Sequence, residues 1–216
     1  MLAALGQAPL PAVVARILPV DEAVREPALV STRQRVINAL RARDAAAVIA
    51  TMHPEIALEA GTYGRENARL HFPNEDTDQL LRILQMGGAF RKTPGWRLVS
   101  ERFCAPYAMA KYPEYDELPP ELQQEPFAAV ILGANVPAHK ENSLSSPIVG
   151  RLSYDVVVPY AFGDGLVWVG TVDKPDGAGW VERSQVWAKA EDYFVCFGQF
   201  DGRWLMTEFS RQPIGF

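Results

Sequence analysis

The second half of the sequence is a series of short apolar segments separated by turn-forming residues. Segments at 127–136, 148–159 and 166–172 are rich in Val, Ile, Ala and Tyr, with Gly, Pro, Asp and Ser between them. A fourth segment, 180–187, follows the turn sequence DKPDGAG. Short β-branched and aromatic segments at this spacing are typical of a closed all-β architecture. The sequence therefore predicts a small antiparallel barrel in this half.

Three short motifs in the same region resemble the pattern of the bacterial SH3 (SH3b) domain. The motifs are Asn135-Val136, the sequence SSPIVG at 145–150, and Gly179-Trp180-Val181. The resemblance covers about residues 130–187, and Pro137 stands where the family pattern has Arg. The resemblance implies an SH3-like barrel in a non-catalytic binding or scaffolding protein of the cell envelope. The implied partner is a cell-wall peptide, such as those of peptidoglycan, or another protein.

The resemblance also implies an aromatic groove that holds an extended peptide. Aromatic faces bind extended peptides or proline rings with little loss of entropy, and a few carboxylates select for charge. The predicted ligand-binding residues are Trp168, Trp180, Tyr154, Tyr160 and Asp164. The alternative for each tryptophan is a purely structural position in the barrel core.

The first half of the sequence mixes helical and strand-like segments. Apolar spacing near three and four predicts helices within 21–53 and at 76–86, with Asp44 as a helix cap. The sequence also predicts a strand at 56–61 and one or two strands at 96–112. The order helix, helix, strand, helix, strand is similar to a shortened nuclear transport factor 2-like cone, which is an analogy of pattern alone.

The composition changes at residues 111–126, which contain four prolines and five acidic residues. Such a segment is typical of a linker between domains. The predicted organisation is a flexible start or signal remnant at 1–20, an α+β domain at 21–114, a linker at 115–126, and a barrel at 127–216. The barrel region ends in a hairpin that turns at Asp201-Gly202.

The predicted fold class is therefore α+β: a small N-terminal helix-plus-sheet domain, then an all-β SH3-like barrel with a C-terminal β-hairpin. The linker dipeptide Pro119-Pro120 offers an extended segment that an aromatic groove could capture. Captured in the groove of the same molecule, it would block that groove, and captured by a neighbouring copy, it would make a homodimer.

Charge and hydropathy exclude some partners. The formal net charge is −5, and the 26 acidic and 21 basic residues are spread over both halves, so nucleic acid is not an expected partner. No apolar run reaches the roughly 20 residues that a transmembrane helix needs. The apolar start predicts a periplasmic or secreted protein if it is the remnant of a secretory signal, and a cytoplasmic protein if it is not.

The sequence predicts neither an enzyme nor a metal or cofactor site. Cys104 and Cys196 lack a second Cys or a His at metal-ligand spacing, so they are either buried thiols or, in an oxidising compartment, a disulfide. His53 and His139 are expected on the surface. The alternative function is small-molecule binding or unrecognised catalysis in a pocket near Tyr63, Arg65 and His71.

Overall fold

The chain builds two β-sheets, one of five strands and one of seven. The structure is a computed structural model. The residues it describes are 16–58, 62–70, 72, 76–95, 97–112, 129–171, 174–189 and 191–211. The predicted linker at 115–126, with Pro119-Pro120, lies outside these residues.

The first part of the chain contributes the helices and three strands. After a 3-10 turn at Glu22–Arg25, the elements are α1 (Pro27–Arg41), α2 (Ala45–Ala50), β1 (Met52–Ala57), α3 (Arg65–Ala68), α4 (Asp76–Gln85), β2 (Ala89–Lys92), β3 (Glu101–Ala105) and α5 (Tyr107–Ala110).

Strands dominate the rest of the chain. They are β4 (Ala129–Ile131), β5 (Val136–His139), β6 (Ile148–Leu152), β7 (Val156–Phe162), β8 (Leu166–Thr171), β9 (Lys174–Glu182), β10 (Val186–Ala188), β11 (Phe194–Phe200) and β12 (Arg203–Ser210). A 3-10 turn at Arg183–Gln185 separates β9 from β10.

The second sheet is inserted between two strands of the first. The five-stranded sheet has the order β1-β12-β11-β3-β2, and the seven-stranded sheet has the order β10-β4-β7-β8-β9-β5-β6. β1 pairs in parallel with β12, and the other pairings are antiparallel. The chain therefore leaves the first sheet after β3 and returns to it at β11.

The predicted fold class is wrong. Strands outweigh helices, at 41% against 27% of the described residues, and the chain forms two sheets rather than a small helix-plus-sheet domain followed by an SH3-like barrel with its own hairpin. The C-terminal hairpin β11–β12 lies in the middle of the five-stranded sheet, beside β1 and β3. The physical reason is that both hairpin strands are apolar on both faces, and such strands are stable where both faces are covered.

Three apolar clusters fill the space around the two sheets. The first lies between the helices and one face of the five-stranded sheet, and it includes Val195 and Phe197. The second lies on the opposite face, where Phe194 and Cys196 meet residues of the seven-stranded sheet such as Trp187. The third is enclosed by the seven-stranded sheet itself. The alternation along β11 thus joins two cores, because successive side chains point to opposite faces.

Local signals explain the helix and hairpin boundaries. Asp44 caps α2 as predicted, since its side chain accepts a hydrogen bond from the N–H of Ala47 at 2.9 Å. α1 begins at Pro27, a residue suited to the first helical turn. Asp201 and Gly202 both have positive φ, at 47° and 75°, which is the conformation of the tight turn that the sequence predicted.

A disulfide joins Cys104 on β3 to Cys196 on β11. The two residues are direct partners in the strand register, their Cα atoms are 4.1 Å apart, and both side chains are fully buried. The sequence left open whether they form a bridge or remain thiols. The bridge closes a loop of the chain that contains the whole seven-stranded sheet.

Removing this bridge should destabilise the protein strongly. We expect the Cys104→Ala/Cys196→Ala double variant to lose about 3–5 kcal/mol, because the bridge constrains a long loop in the unfolded chain. Denaturant unfolding measures the loss. A reductant should lower the stability of the wild type under the same conditions and leave the double variant unchanged. Equal stability of the oxidised wild type and the double variant would contradict this account.

Two ionic contacts with buried carboxylates connect elements of the five-stranded sheet. Arg102 and Glu208 form an ion pair in which both side chains are almost fully buried. Glu22 accepts hydrogen bonds from the ammonium of Lys111 at 2.7 Å and from the N–H of Phe90 at 3.0 Å. Burial by itself raises the pKa of Glu22, but these donors outweigh it and hold the pKa below 4.5.

The lowered pKa of Glu22 predicts a loss of stability in acid. A carboxyl whose pKa is lower in the folded state stabilises the protein above pH 4.5, and that contribution is lost as the pH falls through the folded-state pKa. Glu22→Gln should cost about 1–2 kcal/mol at pH 7. In denaturant unfolding, the difference in the free energy of unfolding between variant and wild type should narrow as the pH falls below 4.5. A difference in stability that does not change with acidification would show that the charge of Glu22 does not stabilise the protein.

Candidate functional site

Two tryptophans form a pair on the outer face of the seven-stranded sheet. Trp168 on β8 and Trp180 on β9 are direct partners in the strand register. Their ring centroids are 5.7 Å apart and the ring planes are tilted by 59°. This separation and tilt are favourable for an aromatic pair, and the two partly exposed rings form one aromatic surface. We call this surface the tryptophan face.

The alternation of side chains along β8 and β9 puts this pair on the outside. Val167, Val169 and Val181 point inward and are fully buried in the third apolar cluster. Trp168 and Trp180 alternate with them and are partly exposed. The pair is therefore additional to the core of this sheet.

The neighbours of the pair differ in size from strand to strand. On β7, the residue opposite Trp168 is the small, exposed Ala161. On β5, the residue opposite Trp180 is His139, which is 5% exposed and whose Nδ1 lies 3.0 Å from the carbonyl oxygen of Ser146. The side of the tryptophan face nearer β7 is therefore the more open one.

A glycine allows the chain to approach Trp168 closely. Gly177 has a φ of 127°, and a Cβ at this position would collide with the indole ring. Such a φ is unfavourable for residues with a side chain. Gly177 therefore fixes the position of one edge of the indole.

The loop at 140–147, between β5 and β6, is ordered by its own hydrogen bonds. The N–H of Lys140 donates to the carbonyl oxygen of Pro147 at 2.9 Å, and the N–H of Glu141 donates to the hydroxyl of Ser146 at 3.1 Å. Asn142 lies against Gly163 in the turn between β7 and β8. The loop therefore reaches from β5 to the far end of β7.

Acidic side chains lie near one end of the tryptophan face. Glu182 follows Trp180 by two residues on β9, so its side chain leaves the same face of the sheet. Its carboxylate accepts a hydrogen bond from the hydroxyl of Ser184 at 2.6 Å. Asp164 is exposed in the turn between β7 and β8. Neither carboxylate forms an ion pair with another residue that the structure describes.

The structure brings together some of the predicted ligand-binding residues. Trp168 and Trp180 touch, and Tyr160, 47% exposed, lies on the neighbouring strand β7. Asp164 lies in the turn that leads from β7 into β8. Tyr154 lies in the turn between β6 and β7, where its backbone bonds with Gly133 and Ile17. Tyr154 therefore belongs to a different end of the sheet.

Glu182 was not among the predicted ligand-binding residues, and of the exposed apolar residues in this part of the chain only Tyr160 was. Applying the two-residue period to GWVERS would have placed Glu182 on the same face as Trp180. Of the nine large apolar side chains that are exposed in the described part of the chain, five lie between residues 144 and 162. These five are Leu144, Ile148, Val149, Tyr160 and Phe162. They lie in the loop before β6, on β6 and on β7, and the register pairs Phe162 with Val167 rather than with Trp168.

Tyr63 and Arg65, which the alternative function places at an N-terminal pocket, both contact other residues of the protein. The guanidinium of Arg65 donates to the carbonyl oxygen of Met52 at 2.7 Å, and the ring of Tyr63 lies 4.3 Å from the guanidinium carbon of Arg97. Both side chains therefore have structural contacts, and His71 lies outside the described residues.

Both other histidines differ from the predicted surface positions. His139 is buried because its ring bonds to the loop at 140–147. His53 is half-buried in β1, with its ring 4.4 Å from that of Phe200. Burial lowers the pKa of His53 below its usual value.

The described cavities are small. A shallow cleft with about 10 Å³ of space for water-sized molecules lies between α4 and β10, and a depression between α2 and the start of α4 has about 0 Å³. Among the described residues, no group of three or more His, Cys, Asp and Glu side chains could hold a metal ion. In the same part of the chain, no helix has the length and hydropathy to span a membrane.

Comparisons with known proteins leave the family open. No protein-family model matches the chain, and no curated protein matches its sequence. A solved structure whose title begins Rd1NTF2_05 is similar over 88% of this chain and 98% of its own, at 12% identity and a TM-score of 0.28. The resemblance to the SH3b pattern therefore stays a prediction from its motifs.

Substituting Gly177 should displace Trp168. Gly177→Ala adds a Cβ where the indole lies, and its positive φ costs a further 1–3 kcal/mol, roughly. Gly165→Ala is a matched control, because Gly165 has a φ of 77° and no atom within 4 Å of an added Cβ. We expect both variants to lose stability, and only Gly177→Ala to change the near-ultraviolet circular dichroism of the tryptophans. Identical spectra for the two variants would rule out this packing.

Proposed function

We propose that the protein is a non-catalytic binding protein of the cell envelope that holds an extended peptide on the tryptophan face. The peptide stems of peptidoglycan are the ligand of this kind that we favour. The proposal rests on one observation: two contacting tryptophans are partly exposed on the outside of a sheet whose inner face already has a complete core.

The physical chemistry of the face suits such a ligand. Indole rings contribute a large contact area and have few rotatable bonds, so they bind at low cost in entropy. The partner of Trp168 on β7 is the small, exposed Ala161, so the apolar surface of the rings is open on the side of that strand. A peptide longer than two or three residues would contact both the rings and this strand.

The edge of the sheet offers a second mode of contact for an extended chain. β6 is the last strand in the order, and among the described strands it pairs only with β5. Ile148 and Val149 on this strand are 50% and 48% exposed. An open edge strand with exposed β-branched side chains is suited to pairing with an extended peptide.

The disulfide supports a location outside the cytoplasm. Bridges such as Cys104–Cys196 form and persist in oxidising compartments, the bacterial periplasm among them. We therefore propose a periplasmic or secreted protein.

Co-sedimentation with isolated peptidoglycan sacculi tests this function at low and high salt. We expect the wild type to pellet at both, and Trp168→Ala to weaken binding roughly tenfold or more, as for a central aromatic contact. Val24→Ala is the matched control, because Val24 is an apolar residue of the first half that is 72% exposed. Failure of the wild type to pellet, or equal pelleting of Trp168→Ala and wild type, would overturn the proposal.

A further inference from the structure

We propose that the ligand presents a cation to the tryptophan face, in the form of a side chain that ends in an ammonium group, and that Glu182 balances its charge. This inference rests on the proposed function and adds the chemistry of the group that is recognised. It follows from the aromatic pair and the carboxylate lying on one face of β8 and β9.

The strand register sets the distance between the two features. Leu166 is the partner of Glu182, and Trp168 is the partner of Trp180, so the two pairs are successive positions on one face. Two residues of a strand span about 7 Å. An ammonium group in contact with the indole rings would therefore lie within reach of the Glu182 carboxylate, directly or through one water molecule.

Indole rings attract cations because the face of the ring is electrically negative. A cation within about 6 Å of the ring centre gains roughly 0.5–2 kcal/mol, and tryptophan is the most favourable of the aromatic residues. Trp168 and Trp180 place two such rings side by side on one face of the sheet. An anionic ligand would be repelled both by the rings and by the carboxylate.

The Glu182 carboxylate forms no ion pair with another residue in the described part of the protein. Its described hydrogen-bond partner is the neutral hydroxyl of Ser184. Arg183, the next residue, contacts Asp192 at 2.7 Å and the carbonyl oxygen of Val186 at 2.8 Å. Arg82 donates to the carbonyl oxygen of Ser184 at 2.5 Å. Both arginines therefore have other partners, and a ligand cation can complement Glu182.

Exposed Asp164 adds to the negative character of this end of the sheet. It belongs to the turn that precedes Leu166, the partner of Glu182. Because β7 presents Ala161 beside Trp168, a long side chain can approach from the β7 side. The geometry points to a flexible chain ending in a primary or methylated ammonium.

A titration with paired probes tests the proposal. The probes are an extended tetrapeptide containing one lysine and the same peptide with that lysine acetylated, and the signal is tryptophan emission. We expect the lysine peptide to bind roughly 3- to 30-fold more tightly in the wild type, as the cation contribution implies. Glu182→Gln should remove most of this preference. Glu141→Gln is the matched control, because Glu141 is an exposed acid of the loop at 140–147, and it should keep the preference.

Two results would overturn the inference. One is equal affinity for the two peptides, or no response to either. The other is sedimentation with sacculi that depends on Trp168 but is unaffected both by Glu182→Gln and by acetylation of the amino groups of the sacculi. That second result would leave the proposed function standing, so the failure of one proposal is distinguishable from the failure of the other.

Discussion

The pairing of β3 with β11 is the constraint on which the rest of the structure depends. It brings together residues that are 92 positions apart, and the disulfide between Cys104 and Cys196 makes the contact covalent. Everything from α5 to β10 must fit within the loop that this pairing closes. Because β11 is buried on both faces, it also joins the core beneath the helices to the core between the two sheets. The part of the chain that forms the seven-stranded sheet therefore leaves the five-stranded sheet after β3 and rejoins it at the neighbouring strand β11.

The two tryptophans that form the tryptophan face of the seven-stranded sheet lie outside the three apolar clusters of the described residues. Val130, Val156 and Trp187 of this sheet belong to the second apolar cluster, which it shares with the five-stranded sheet. Its own interior is the third cluster, which includes Val167 and Val181. The tryptophan face takes part in neither. Large aromatic side chains that a core does not require are costly to expose, and their concentration here is the physical basis for proposing a binding surface.

Local features of the fold were predictable from the sequence, and long-range ones were not. The cap at Asp44, the helix at 76–85 and the turn at Asp201-Gly202 follow from the chemistry of a few neighbouring residues. The pairing of the C-terminal hairpin with β1 and β3 does not, since the alternation of apolar residues predicts a strand but not its partner. The same limit explains why the arrangement of side chains at the site was not predictable. Trp168 and Trp180 were predicted individually, whereas their contact and the burial of His139 depend on the register of β5, β8 and β9.

The most direct test of the account is to observe the indole N–H signals of the tryptophans by nuclear magnetic resonance while soluble peptidoglycan fragments are added. Trp187 and Trp204 are 3% and 6% exposed, so they serve as internal controls within the same molecule. The account predicts that the signals of Trp168 and Trp180 shift in a saturable way, and that those of Trp187 and Trp204 do not. Shifts confined to Trp187 and Trp204, or no shift of any indole signal, would contradict it.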